Sequence, residues 1–209
     1  MGASYTNTVV YWADRERLIV LLNERGRRAF VSPTINGATA VCDKDSSQSA
    51  TKTFELTELL AWKLNCAAWG VSVYDDDVFE YRLFSGEMLL DEYNSSPTYF
   101  STSAGLAAPS GGIEEKLCRA FGVNDRDKVS AIGAALHYNK PDILEDEVSE
   151  DEYNRIVDST KYVFEHERHR EILGLLGLPT WFSELSYGGL LGRYPKEADL
   201  NQFARTEPT

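Results

Sequence analysis

The first hundred residues switch repeatedly between a two-residue and a 3.6-residue apolar period. Residues 6–12 (TNTVVYW) are β-branched and aromatic, which predicts a strand. Asp14 offers an N-cap, Leu18, Leu21 and Leu22 follow at helical spacing, and Gly26 supplies the stop. Short apolar runs at 29–32 and 38–42 flank the turn residues 33–37 and predict a hairpin with a loop longer than two residues. After the polar stretch 43–52, Phe54, Leu56, Leu59, Leu60 and Leu64 form a second helical stripe with Trp62 beside it. Residues 71–74 return as a strand, Asp75, Asp76 and Asp77 break it, and 78–84 and 88–93 form a second hairpin across Ser85-Gly86.

Strand, helix, hairpin, helix, strand is the order of the split βαβ, or ferredoxin-like, antiparallel sheet, and the second hairpin extends one edge of it. The expected fold class is therefore α+β: that sheet with an added β-hairpin, followed by a mostly helical C-terminal segment. Such a sheet hosts many unrelated activities, so the architecture leaves function open.

Beyond residue 100 the pattern is helical. Ile113, Leu117, Ala120 and Phe121 share a face that ends at Gly122, and Val129, Ile132 and Leu136 repeat it. Ser149-Glu150-Asp151-Glu152 is a capping box that opens the longest predicted helix. Its stripe runs through Tyr153, Ile156, Val157, Thr160, Val163 and Phe164, resumes at Ile172, Leu173 and Leu176, and ends at Gly177 and Pro179. Trp181, Phe182, Tyr187 and Tyr194 make the last thirty residues too aromatic for a free tail. The expected organisation is a sheet domain at 1–100, a linker or long loop at 101–112 (small residues with Pro and Gly), and a helical segment at 113–209 packed on the sheet.

Composition narrows the function classes. The chain has 209 residues, 43% hydrophobic and 26% charged, ordinary values for a globular protein with a real core. Its net charge of −12 repels phosphate backbones and favours basic protein partners or divalent cations, so no nucleic-acid partner is expected. Three cysteines, Cys42, Cys66 and Cys118, have no paired spacing, which points to buried thiols in a reducing compartment and hence to the cytoplasm. There is neither a basic-then-apolar leader nor an apolar run of membrane-spanning length, so no membrane association is expected.

Two Asp-x-Asp pairs are the first candidate site. In the 4-1-3-2 order of the split βαβ sheet, the third and fourth strands run the same way with the first between them. Asp43 and Asp45 follow the third strand and Asp75, Asp76 and Asp77 the fourth, so both groups are expected at one end of the sheet, roughly 10 Å apart. An oxygen-rich cluster of that kind suits Mg²⁺ or Ca²⁺; the competing reading is ordinary solvated turns.

Other constellations are weaker. Residues 165–170 (EHERHR) place His166 and His169 three apart on one helix face, but they match neither His-Glu-x-x-His nor a paired Glu-x-x-His, and their mixed charge reads as an exposed, ion-paired stretch. No Gly-x-Ser-x-Gly elbow occurs, and only three histidines could serve a nucleophile. The glycine-rich run 188–193 lacks a P-loop's Gly-Lys-Ser/Thr and reads as a turn.

Two partner-binding features remain. Residues 142–152 hold seven carboxylates, among them Glu145, Asp146 and Glu147, and suit a basic surface. The second hairpin carries Phe79 and Tyr81 on one face, with Tyr93 and Tyr99 following; it either docks a partner or packs under the C-terminal helices. The sequence thus points to a non-catalytic, inhibitor- or immunity-like module that binds a basic protein and needs no cofactor. The alternative is a divalent-metal enzyme acting on a phosphorylated or nucleotide substrate through Asp43, Asp45, Asp75 and Asp77.

Overall fold

The computed structural model describes residues 2–101, 107–141, 149–192 and 199–206. It is a mixed α+β structure built on one open antiparallel sheet of eight strands. In chain order the elements are β1 (Tyr5–Tyr11), α1 (Arg15–Glu24), β2 (Ala29–Val31), β3 (Ala38–Asp43), α2 (Ala50–Leu64), β4 (Ala67–Tyr74), β5 (Val78–Ser85) and β6 (Met88–Asn94). There follow β7 (Ser110–Gly111), α3 (Glu114–Ala120), α4 (Arg126–Leu136), α5 (Glu150–Ser159), α6 (Glu165–Leu175), α7 (Tyr187–Leu191) and β8 (Ala204–Thr206). The spatial order is β7-β6-β5-β4-β1-β3-β2-β8.

Alternation along the strands sorts side chains onto two faces, each with its own core. Val10 and Ala68 point to the face where Leu18 and Leu22 of α1 meet Leu56, Leu60 and Ala61 of α2. Val9 and Trp69, one residue away in each strand, point to the opposite face. There Phe79, Tyr81 and Tyr93 lie beneath Leu117, Ile132, Leu136, Ile172 and Leu173 of the C-terminal helices. Sheet and C-terminal helices therefore share one core, and β7, inside the segment read as a linker, pairs with Tyr93 and Asn94 of β6. The three cysteines are free and buried. No helix among the described residues is long and apolar enough to cross a membrane.

Helix starts follow their caps. Asp14 accepts from the Arg17 amide at α1, Ser49 from Lys52 at α2, Asp125 from Asp127 and Lys128 at α4, and Ser149 from Glu152 at α5. Helix α2 ends at Asn65 in the left-handed region, φ 49°, and β4 begins two residues later. The strand therefore starts four residues earlier than its 71–74 core suggests.

The long helix expected from 149 to 176 is two helices. Helix α5 stops at Thr160, whose backbone is extended (φ −81°, ψ 123°), and α6 starts after Phe164. Between them Tyr162 is buried and its hydroxyl donates to Glu171 Oε2 at 2.8 Å. The Glu167 carboxylate accepts from the amides of Val163 and Phe164, both at 3.1 Å, and so opens α6 afresh. Ile156 and Val157 of α5 are only half-buried, against the expectation of a buried stripe. Residues 188–191, read as part of a turn, belong to α7, which Ser186 caps by accepting from the Gly189 amide.

Gly70 in β4 lies where α2 passes close to the sheet. A β-carbon there would sit 2.2 Å from Thr57 Oγ1, whose hydroxyl already contacts Thr8 Oγ1 at 2.8 Å and donates to the Thr53 carbonyl at 2.7 Å. Gly70→Ala is expected to lower stability by about 2 kcal/mol, read as a lower urea midpoint at unchanged slope. Gly70→Ala/Thr57→Ala should be less destabilised than the sum of its single variants.

Candidate functional site

Both aspartate groups come to the end of the sheet where β1 begins, since β3 and β4 flank β1 and run in the same direction. Their side chains then part company. Asp43 turns toward the start of β2: Oδ2 accepts from the Ser46 amide and hydroxyl at 2.8 Å and faces Arg27 Nη2 at 3.3 Å. Asp43 is buried, whereas Asp45, half-exposed, lies 3.7 Å from Arg27 Nη1. Asp75, Asp76 and Asp77 form the β4–β5 turn, and the first two take left-handed φ values of 49° and 60°. Among the described residues, no group of three or more His, Cys, Asp or Glu is placed to hold a metal ion.

The turn is tied to two distant segments. The Gly2 amide donates to Asp75 Oδ1 at 2.9 Å and the Ala3 amide to Asp76 Oδ2 at 2.6 Å. On the other side Asp76 Oδ1 meets His166 Nδ1 at 2.7 Å, and the Asp76 carbonyl accepts from the Glu165 amide at 2.9 Å. Asp77 receives the Tyr99 hydroxyl at 3.0 Å and lies 3.9 Å from Lys140 Nζ. The Tyr99 phenol is raised to about 12, mainly by desolvation and then by its bond to Asp77.

An exposed aromatic group stands beside these aspartates. Tyr74 closes β4, and its ring meets Tyr99 and Phe100 at centroid distances of 6.1 and 5.2 Å. These three rings are 49%, 36% and 71% exposed. Phe164, also exposed, stacks on His166 at 5.7 Å, so aromatic surface lies on both sides of the acidic turn. Tyr99 is thus the one surface residue among the aromatics expected to bind a partner. Phe79, Tyr81 and Tyr93 are core residues, because the C-terminal helices cover the hairpin face that carries them. Glu145, Asp146 and Glu147 lie outside the described residues.

Beneath the rim, α6 carries a buried polar cluster that corrects the expectation of an exposed charged stretch. Glu165, Arg168 and His169 are all buried. Arg168 Nε pairs with Glu165 Oε2 at 3.0 Å; Nη1 donates to the Tyr93 hydroxyl and, at 3.4 Å, to the Leu136 carbonyl; Nη2 donates to the Tyr138 carbonyl at 3.1 Å. Its guanidinium also lies 5.3 Å from the centre of the Tyr162 ring. His169 Nδ1 bonds the Tyr5 hydroxyl at 2.9 Å, and its ring packs against Trp69 and Phe79.

Burial shifts two of these groups in opposite senses. Desolvation raises the Glu165 carboxyl to about 7 against the opposing pull of Arg168 and Lys140. Desolvation, with a smaller repulsion from His166, lowers the His169 imidazole to about 3. Sequence reasoning missed Tyr74, the exposure of Phe164 and the Glu165–Arg168 pair. Tyr74 had a signal in its place beside turn residues, but exposure of a ring leaves no mark in local periodicity.

Compared with known proteins, the chain matches no family model, no curated protein and no solved structure.

The two titrating groups drive stability in opposite directions. Glu165, raised in the folded state, makes stability fall as pH climbs from about 4.5 to 7. His169, lowered in the folded state, makes stability rise as pH climbs from about 3 to 6.5. Glu165→Gln removes the first slope. Urea denaturation of wild type and variant across pH 4.5–7 should show the variant gaining on wild type by up to about 3 kcal/mol as pH rises; a constant difference would refute the assignment. Arg168→Met, which leaves Glu165 buried without its cation, should cost about 3–5 kcal/mol at pH 8.

Proposed function

We propose that this chain is a non-catalytic protein-binding module, inhibitor- or immunity-like in manner, whose docking face is the acidic–aromatic rim of the β4–β5 turn and whose partner is a basic protein. The observation that carries this reading is the exposed trio Tyr74, Tyr99 and Phe100 beside Asp75 and Asp77. Aromatic rings give binding area at low entropic cost and dominate the centres of interfaces, while flanking carboxylates steer a basic surface toward them. The net charge of −12 acts in the same sense. The turn is held on both sides, by Gly2 and Ala3 and by His166, so the face is preorganised. Three unpaired thiols support action in the cytoplasm.

In this reading β1–β4 with α1 and α2 form the split βαβ unit, in its 4-1-3-2 order, and hairpin β5–β6 extends it. The unit serves as a scaffold that brings the β4–β5 turn beside α6.

A second reading, the divalent-metal enzyme, has one observation in its favour: the Asp43/Asp45 and Asp75/Asp77 pairs share the end of the sheet at which β1 starts. Under it, Mg²⁺ or Ca²⁺ raises the melting temperature of wild type, and Asp75→Asn/Asp77→Asn abolishes that rise.

The docking reading is tested by capture from native lysate on immobilised wild type, Phe100→Ala/Tyr74→Ala and Asp75→Asn/Asp77→Asn. The expected result is a basic protein retained by wild type, weakened at least tenfold by the aromatic variant. The acidic variant should lose mainly association rate and salt dependence. Equal retention by all three proteins would sink the proposal.

A further inference from the structure

Helix α2 presents to solvent a stripe that lies mostly outside the core, with only Leu59 packing partly against it. Its buried residues are Thr53, Phe54, Leu56, Thr57, Leu60 and Ala61. The opposite stripe, at spacings of three, four and seven, is Glu55, Glu58, Leu59 and Trp62. With Glu87 from the β5–β6 turn these residues line an open groove of about 420 Å³ between the helix and the hairpin tip. That volume lies in the lower part of the range for ligand pockets, roughly 300–1,000 Å³, and suits a few side chains rather than a folded face.

The groove has an apolar floor and an anionic border. Trp62 is 47% exposed, and Met88 and Leu89 next to Glu87 are exposed as well. Glu55, Glu58 and Glu87 are exposed, and none has an ion-pair partner among the described residues. One face of the Trp62 ring is covered by the neighbouring Lys63 ammonium, 3.4 Å from its centroid, which an incoming guanidinium must displace unless it takes the other face. The three glutamates are not among any group placed to hold a metal ion.

We infer that this groove is a binding site for an arginine-bearing segment of a protein partner. A guanidinium stacks on Trp62 better than an ammonium does, its planar fork matches carboxylates two donors at a time, and its methylene stem lies along Leu59. Glu55 and Glu58, three apart on the helix, stand where such a fork needs acceptors, with Glu87 facing them from the hairpin. The inference rests on the reading that the partner is basic, and it adds a second contact. Groove and rim lie at opposite ends of β5, whose eight residues span roughly 25 Å, so each is occupied by a different part of the partner.

The test uses the acetylated and amidated hexapeptide Arg-Leu-Arg-Arg-Leu-Arg, whose backbone at full extension reaches about 20 Å. It is titrated into the ¹⁵N-labelled full chain, with backbone amide shifts as the readout. Saturable shifts are expected over 55–62 and at Glu87. The affinity should fall at least tenfold in Glu55→Gln/Glu58→Gln and in Trp62→Ala, all exposed positions whose replacement leaves the core intact, and should hold within twofold in Asp75→Asn/Asp77→Asn. A peptide with glutamate in place of every arginine should produce no shifts. Equal affinity for the Glu55→Gln/Glu58→Gln variant would overturn the groove. So would shifts centred on residues 75–77 and lost in the aspartate variant, which would leave the rim standing as the basic-partner face. Absence of any saturable shift would overturn the groove alone, because the rim is judged by retention of its captured partner.

Discussion

The folded arrangement depends on one buried guanidinium. Arg168 reaches from α6 to the Tyr93 hydroxyl on β6 and to the carbonyls of Leu136 and Tyr138 at the end of α4, while Glu165 balances its charge. Three elements far apart in sequence thus meet at one side chain. Carbonyls at a helix terminus lack partners of their own, and burying them is costly unless a donor is supplied. Arg168 supplies one to the Tyr138 carbonyl, and the Tyr93 hydroxyl that it contacts supplies one to the Leu136 carbonyl at 2.8 Å.

The same side chain links packing to the candidate binding face. Glu165 and His166 are neighbours on α6, one directed into the core at Arg168 and the other out to Asp76. The β4–β5 turn is tied to residues 2 and 3 on one side and to α6 on the other, and α6 carries the buried pair. The exposed rings of Tyr74, Tyr99 and Phe100 are grouped by their contacts with one another and by the Tyr99 hydroxyl bond to Asp77 of the same turn.

Much of the sheet is legible from alternation and capping. The strands around Val9, Val41 and Val73 and the helices around Leu18 and Leu60 fall where period and N-cap residues put them. The start of β4 is obscured because Cys66, Ala67 and Ala68 have weak strand preference and Gly70 looks like an interruption; the close passage of α2 is what requires it. Alternation also separates Phe79, Tyr81 and Leu83 from their neighbours but cannot say which face the later helices cover. The polar cluster was hidden for a different reason. Charged residues at 165–170 look solvated in any local window, and their partners Tyr93, Tyr138 and Tyr5 lie between 30 and 164 residues away.

The position of β1 in the middle of the sheet bears on how the chain matures during synthesis. Strands β1, β3 and β4 and their two helices are complete when residue 74 leaves the ribosome, so one side of the sheet is already covered. The other side, with Trp69 and later Phe79 and Tyr81, is covered first by α3 and α4 and is not closed until α6 emerges about a hundred residues afterwards. At the usual pace of translation that is an interval of roughly 5–20 s in which a nascent, half-clad sheet offers aromatic surface to chaperones and to its own neighbours on the polysome.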